Sequence, residues 1–234
     1  MEKPVMPKEI KAIKGFVKSA FFDSEKERTC NLEKKCPIVT VSRGFGAQGR
    51  TVSKLLADQL TVDHFDSKLV DNLIKEVKTN KHLMAKFDEK FNTSVDDWVY
   101  SFISGSMSKS NYYRLLIKTV TAIAETGGVI LGRGAHLILS HHPQVFRLRV
   151  EGSLESCARR ISVRENIDLN DAKKLVKKTN KDRIGYVKEV YKQFPSERSY
   201  YDMSVCTDHL DPHDIVELTI TAMQKRGLYV PGSD

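Results

Sequence analysis

The strongest chemical signal in the chain is eight consecutive residues: Gly44, Phe45, Gly46, Ala47, Gln48, Gly49, Arg50 and Thr51. Four residues lie between Gly44 and Gly49, and a basic residue and a hydroxyl follow. That is the spacing of the phosphate-binding loop G-x-x-x-x-G-K-[ST]. Glycines at these places let the backbone turn until several N–H groups face one phosphate, at the positive end of the next helix. Arg50 stands where the pattern has lysine; it keeps the charge and can fork onto two phosphate oxygens, but it is larger and planar. Thr51 stands where a hydroxyl would meet a nucleotide-bound Mg2+. The same residues could also form a Gly-rich turn that holds nothing. The strand and helix expected on either side favour a nucleoside triphosphate cradle.

Those flanking elements are legible. The β-branched run Cys36 to Ser42 reads as a buried strand. After the loop, Thr51, Val52, Leu55, Leu56 and Leu60 recur at helical steps. Val62–Phe65 reads as a short second strand, and Ser67 as the cap of a helix striped by Leu69, Val70, Leu73, Ile74 and Val77. A helix is expected over about 112–126, ended by Gly127-Gly128, and a third strand at Val129–Leu131. In Val145–Val150 apolar and basic residues alternate, which suggests an edge strand or a strand near a charged ligand. Ser153 can cap the next helix, Asn170 or Asp171 starts a long one, and Asp202–Cys206 is the last strand. Asp211 and Pro212 open the final helix as N-cap and first helical residue.

Strands separated by helices predict an α/β/α three-layer sandwich on a mainly parallel five-stranded sheet. Ligands in such sheets sit beyond the carboxyl ends of the strands. The 44–51 loop, Asp66 after the second strand and Arg133 after the third would all lie there. The expected organisation is a helical arm and linker over 1–35, a phosphate-loop domain over 36–228 with a helical lid at about 155–190, and a tail at 229–234. Residues 79–111, with the single Trp98, follow no clear period.

The 234 residues are 40% hydrophobic, enough for one sizeable core. Cysteines 30, 36, 157 and 206 match neither a zinc pattern nor a disulfide framework, so free thiols in a reducing, cytoplasmic setting are expected. No signal peptide or membrane span is legible. The net charge of +8 suits anionic partners. The lysines between 173 and 181 have helical spacing and read as a solvated face, so nucleic acid is not the expected partner. A homodimer stays open. His136, His141 and His142 make no metal-ligand set and read as surface or hydrogen-bonded histidines.

The segment from Ile38 to Arg50 resembles the opening of the cytidylate kinase-like family, I-T-I-S-R-x-F-G-S-G-G-R, in which arginine already replaces the loop lysine. Phe65-Asp66-Ser67-Lys68-Leu69 resembles the family's Y-D-K-x-L, and Val129 to Ala135 its V-I-V-G-R-G-A. Ala172 to Tyr186 and Tyr201-Asp202-Met203 resemble its later motifs, so the resemblance covers about 37–225. It implies a P-loop kinase fold and transfer of a phosphoryl group from ATP–Mg2+ to a nucleoside monophosphate, CMP or dCMP. Thr51 replaces the family's usual acidic residue, Asn180 its usual aspartate, and the acceptor arm is not recognisable in 79–111.

Phosphoryl transfer needs charge neutralisation and in-line positioning more than a chemical base. Arginines should therefore arrive from several segments, and Arg50, Arg133, Arg159, Arg164 and Arg183 are the catalytic candidates. The resemblance implies that Arg50 and the loop amides hold the β- and γ-phosphates and that Arg133 clamps the acceptor phosphate. Arg43 would support the loop or face the acceptor. Arg159, Arg160 or Arg164, with Arg183, would come from the lid. Asp66 would orient the acceptor or reach Mg2+ through water, although it could simply cap the following helix. Arg133 could equally be a surface ion pair. A weakly catalytic nucleotide-binding regulator, and a kinase of another small metabolite, are the competing readings.

Overall fold

The computed structural model describes residues 37–79, 85, 111–191 and 198–229. The expected arm over 1–35, residues 80–110 apart from residue 85, residues 192–197 and the expected tail from 230 onward lie outside the described residues.

Strand β1 (Ile38–Arg43) is central because its apolar run is buried on both sides. It pairs in parallel with β3 (Gly128–Leu131) and with β4 (Val145–Glu151). Strand β2 (His64–Phe65) adds beside β3, and β5 (Met203–Cys206) beside β4. The order is β2-β3-β1-β4-β5, with every pair parallel. The register sets Val41 opposite both Leu131 and Leu148. The Gly132 amide therefore donates to the Val41 carbonyl at 3.0 Å, and the Gly44 amide to the Val150 carbonyl at 3.0 Å. The loops after β1, β3 and β4 thus leave the sheet at one level.

Helices cover both faces. On one face α2 (Ser67–Thr79), α3 (Asn111–Thr126) and α4 (Ala135–Ile138) enclose a cluster that includes Phe65, Leu73, Leu116 and Ile123. On the other, α1 (Gly49–Gln59), α5 (Leu154–Glu165) and α7 (Pro212–Lys225) enclose Leu56, Phe146, Ile161 and Met223. Helix α6 (Leu169–Tyr191) belongs to both. Ala172 and Val176 join the second cluster, whereas Val187, Val190 and Tyr191 join the first. At 23 residues it spans about 34 Å. Its middle therefore crosses the carboxyl edge of the sheet, which places residues 179–187 above the loop.

Three sequence expectations need correction. The helix after β2 is capped by Asp66, not Ser67: the Asp66 Oδ1 accepts from the Lys68 and Leu69 amides at 3.0 Å each. Helix α6 starts at Leu169, ahead of the expected Asn170 or Asp171, and Asp168 caps it by accepting from those two residues' amides at 2.5 and 3.0 Å. In both cases the residue just before the helix is the one whose carboxylate reaches the second and third amides. Strand β4 is interior and not an edge. Its alternating arginines find partners within the fold: Arg147 forks onto Asp202 at 2.9 and 3.0 Å, and Arg149 reaches Glu151 at 2.5 Å. Ser153 and Asp211 cap as expected, the latter in a reciprocal capping box with Asp214.

Candidate functional site

The loop after β1 is shaped by local backbone rules. Gly46 adopts φ 83°, and a Cβ there would lie 2.7 Å from the Cys157 carbonyl. Gln48 closes the loop in the left-handed region and offers no side-chain acceptor to the first turn of α1. The amides opening α1 are thus free of a side-chain cap, the arrangement that suits an anion. Thr51 is exposed on that turn, its own amide bonded to the Gln48 carbonyl at 2.8 Å.

Helices α5 and α6 hold the loop from above. The Phe45 amide donates to Asn180 Oδ1 at 2.8 Å. The guanidinium carbons of Arg164 and Arg183 lie 5.2 and 5.4 Å from the Phe45 ring centroid. Arg183 also donates to the Arg43 carbonyl at 3.2 Å. Arg160 donates to the Gly46 carbonyl at 3.4 Å and to both the hydroxyl and carbonyl of Thr207, which makes it a strut behind the loop. Arg159 is exposed and makes none of these contacts.

Two carboxylates engage the other candidate arginines. Arg50 donates to Asp66 at 2.5 Å, with Arg50 largely exposed. Burial alone would raise the Asp66 pKa, but the Leu69 amide and the Arg50 guanidinium hold it below the ordinary value. Arg133 follows Gly132, whose φ of 87° leaves room for the Arg43 guanidinium where a Cβ would stand. Arg133 itself has φ 53°, a conformation uncommon outside glycine, and its carbonyl accepts from the Tyr191 hydroxyl at 2.5 Å. Its guanidinium pairs with Asp71, which also accepts from the Tyr112 hydroxyl at 2.8 Å.

A cavity of about 610 Å³ opens between this rim and the middle of α6. Arg43, Arg133, Arg149 and Arg183 line it, with Ser42 and Tyr186 among the other walls. Burial, then Arg183, Arg133 and Arg50, push the Arg43 pKa down to about 10. Arg183 is lowered too, by burial and by Arg164. Like charges gathered this closely favour an anion among them.

In the cavity wall His136 is buried between Ser42 and Tyr201, with hydrogen bonds of 3.0 Å on Nδ1 and Nε2 respectively. Burial, Arg149 and Arg147 push its pKa down to about 3. An unfolded histidine near 6.5 takes up a proton that the folded one refuses, so stability falls as pH drops from about 6.5 towards 3. The shift corresponds to an upper bound on the order of 5 kcal/mol. His136→Asn should be less stable than wild type at pH 7 yet lose less on moving to pH 4. Urea midpoints at the two pH values check this, and equal acid losses would overturn it.

The structure thus brings Arg43, Arg50, Asp66, Arg133, Arg164 and Arg183 to one rim and leaves Arg159 outside. Asp71, Ser42, His136, Arg149 and Tyr201 were not singled out as site residues by their spacing. Asn180 was visible only as a lost charge, not as an acceptor for the loop. Among the described residues no group of three His, Cys, Asp or Glu could hold a metal ion. Thr51 and Asp66 nevertheless fit Mg2+, which keeps most of its shell as water and phosphate oxygens and needs only one or two protein ligands.

Residues 38–209 match the model of the cytidylate kinase-like family. No curated protein matches the chain. Among solved structures, an uncharacterized protein from Eubacterium ventriosum superposes with a TM-score of 0.68 at 21% identity, covering 82% of this chain and 99% of that one. Shikimate kinase from Acinetobacter baumannii gives 0.47 at 13%, covering 84% and 97%. Shikimate kinase from Bacteroides thetaiotaomicron gives 0.42 at 14%, covering 81% and 96%. The last two superpositions are too loose to bear on fold or substrate.

Proposed function

The chain belongs to the cytidylate kinase-like family, and from that premise we propose that it is a phosphotransferase moving the γ-phosphoryl of ATP–Mg2+ to a nucleoside monophosphate, CMP or dCMP by family resemblance. The observation that carries this reading is the convergence of Arg43, Arg133 and Arg183 on one cavity with Arg50 beside it, close enough that the other three lower the Arg43 pKa. Phosphoryl transfer is served by such neutralisation, since the transition state spreads charge over the phosphoryl oxygens.

In this assignment Arg50 and the amides of Gly44–Thr51 hold the triphosphate, and Thr51 contributes a hydroxyl to Mg2+. Arg133, with Arg43 beside it, holds the acceptor phosphate. Arg183 and Arg164, drawn over Phe45 by α5 and α6, neutralise charge and exclude water. Asp66 orients Arg50 and stands ready to reach the Mg2+ shell through water. Arg159 has no part. No described helix is long and apolar enough to cross a membrane; the proposed setting is the cytoplasm, with nucleotides as partners.

One observation favours a second reading, a nucleotide-binding regulator with weak catalysis. The groups meant for ligands already have protein partners: Asp66 on Arg50, Asp71 on Arg133 and Asn180 on the Phe45 amide. ADP release from Mg-ATP, measured with CMP, dCMP, UMP, AMP or no acceptor, separates the two. Release is expected to rise well above background with CMP or dCMP. Tight ATP binding without acceptor-dependent release would replace the kinase reading with the regulator. Release with none of these nucleotides but with another small metabolite would move the acceptor class.

A further inference from the structure

A second concave surface adjoins the arginine-lined cavity, and the assignment above does not use it. It is a cleft of about 430 Å³ between the turn after β4, the start of α5 and the middle of α6. Leu154, Val176 and Ile184 supply its apolar wall, and Lys177, Asn180 and Lys181 its polar one. Asn180 and Ile184 line both hollows, whereas neither lysine lines the larger one. None of the described residues lining the cleft is acidic. Its volume falls within the range of small-molecule pockets, roughly 300–1,000 Å³.

The polar groups of the cleft have bonding capacity to spare. A backbone amide only donates, so Asn180 receives the Phe45 amide through Oδ1, which fixes the orientation of its own amide. Its Nδ2 hydrogens have no partner among the described residues. Earlier on α6, Lys173 pairs with Glu155 at 2.8 Å and Lys174 with Asp171 at 2.9 Å. Lys177 and Lys181 continue that helix with no carboxylate partner among the described residues. Four positions apart, they stand one turn above each other, where like charges repel. Ile184 is still 39% exposed, and it shares its wall with Leu154 and Val176 rather than standing alone. Spare donors, uncompensated positive charge and apolar area in one concave place complement an anion that carries an apolar body.

We propose that this cleft is a second binding site, and that it takes a small organic anion, a phosphate or carboxylate attached to an apolar body. Lys177 and Lys181 hold the anionic group, Asn180 Nδ2 donates a hydrogen bond, and Leu154, Val176 and Ile184 pack against the body. The site goes beyond the kinase reading and does not rest on it, because none of the arginines assigned to phosphoryl transfer lines the cleft.

The probe is anilinonaphthalene sulfonate, an anion on an aromatic body that fluoresces when it leaves water for an apolar surface. It is titrated into the full chain as wild type, as the double variant Lys177→Ala with Lys181→Ala, as Ile184→Ser and as Arg133→Ala, with thermal midpoints confirming that each is folded. The double lysine variant should bind the dye about fivefold or more weakly, since two exposed charges are lost. Ile184→Ser should weaken it several-fold, and Arg133→Ala should bind like wild type. Added salt should weaken the wild type and hardly move the double lysine variant. Competition is measured in Arg133→Ala, where the other cavity is weakened: displacement by CMP supports a phosphate-bearing occupant, and displacement by octanoate a carboxylate-bearing one. Displacement by neither, or equally well by inorganic phosphate, would overturn the class of occupant. No dye bound by wild type, full binding in the double lysine variant or a loss in Arg133→Ala would overturn the site and leave the kinase reading standing.

Discussion

Arg50→Ala is expected to lower acceptor-dependent ADP release by about a hundred- to a thousandfold, the usual cost of removing one preorganised donor to developing charge. The fold should hardly notice. Arg50 is two-thirds exposed, and its one side-chain partner among the described residues is Asp66, which stays anchored by the Lys68 and Leu69 amides. An ion pair that exposed contributes at most about 1 kcal/mol. Thermal midpoints should therefore move little while turnover collapses. Arg50→Lys keeps the charge but loses the fork and should recover only part of the activity. Kinetics with ATP varied at fixed acceptor, beside a melting curve, give the answer. Unchanged turnover would remove Arg50 from the triphosphate site, and a loss matched by unfolding would make it structural.

Arg133→Ala should act on the other substrate. The expected result is a fall in kcat/KM for CMP of about a hundredfold or more with the affinity for ATP nearly unchanged, since only the acceptor side loses a charge-assisted contact. The geometry argues for this residue rather than a neighbour. Its backbone is held in the left-handed region between two glycines and fastened by the Tyr191 hydroxyl, and Asp71 with Tyr112 fixes its guanidinium. A strained, over-determined residue facing a cavity is a functional signature. Asp71→Asn serves as control: it leaves the arginine in place but loosens it, so CMP affinity should fall several-fold and ATP affinity should not. Equal losses for both substrates in Arg133→Ala would indicate damage to the whole rim.

The loop was legible because everything that makes it is contiguous. A β-branched run, glycines at 44, 46 and 49 and a helical stripe from Thr51 are read along the chain, and each obeys local backbone rules. Arg133 was legible for the same reason, as the residue between two glycines at a strand end. Asp66 was read with both of its roles left open, and the structure shows the cap together with a bond to Arg50, sixteen positions away.

What stayed hidden joins residues distant in sequence: Asp71 with Arg133, Ser42 with His136, Arg149 with Tyr201 and Phe45 with Asn180. Those meetings depend on the strand order β2-β3-β1-β4-β5, which does not follow the chain. They also depend on α6 starting on one face of the sheet and ending on the other. The alternating arginines of β4 show the limit well. Their pattern suits an edge strand or a charged neighbour, and the placement of β5 beside β4 made the strand interior. By itself the sequence determined the phosphate-loop spacing, the parallel α/β class and the supply of arginines, because periodicity, glycine placement and charge are local properties. The tertiary structure decided which arginines face one cavity, which carboxylates hold them and that His136 is buried between Ser42 and Tyr201, because those depend on packing between elements that no local pattern encodes.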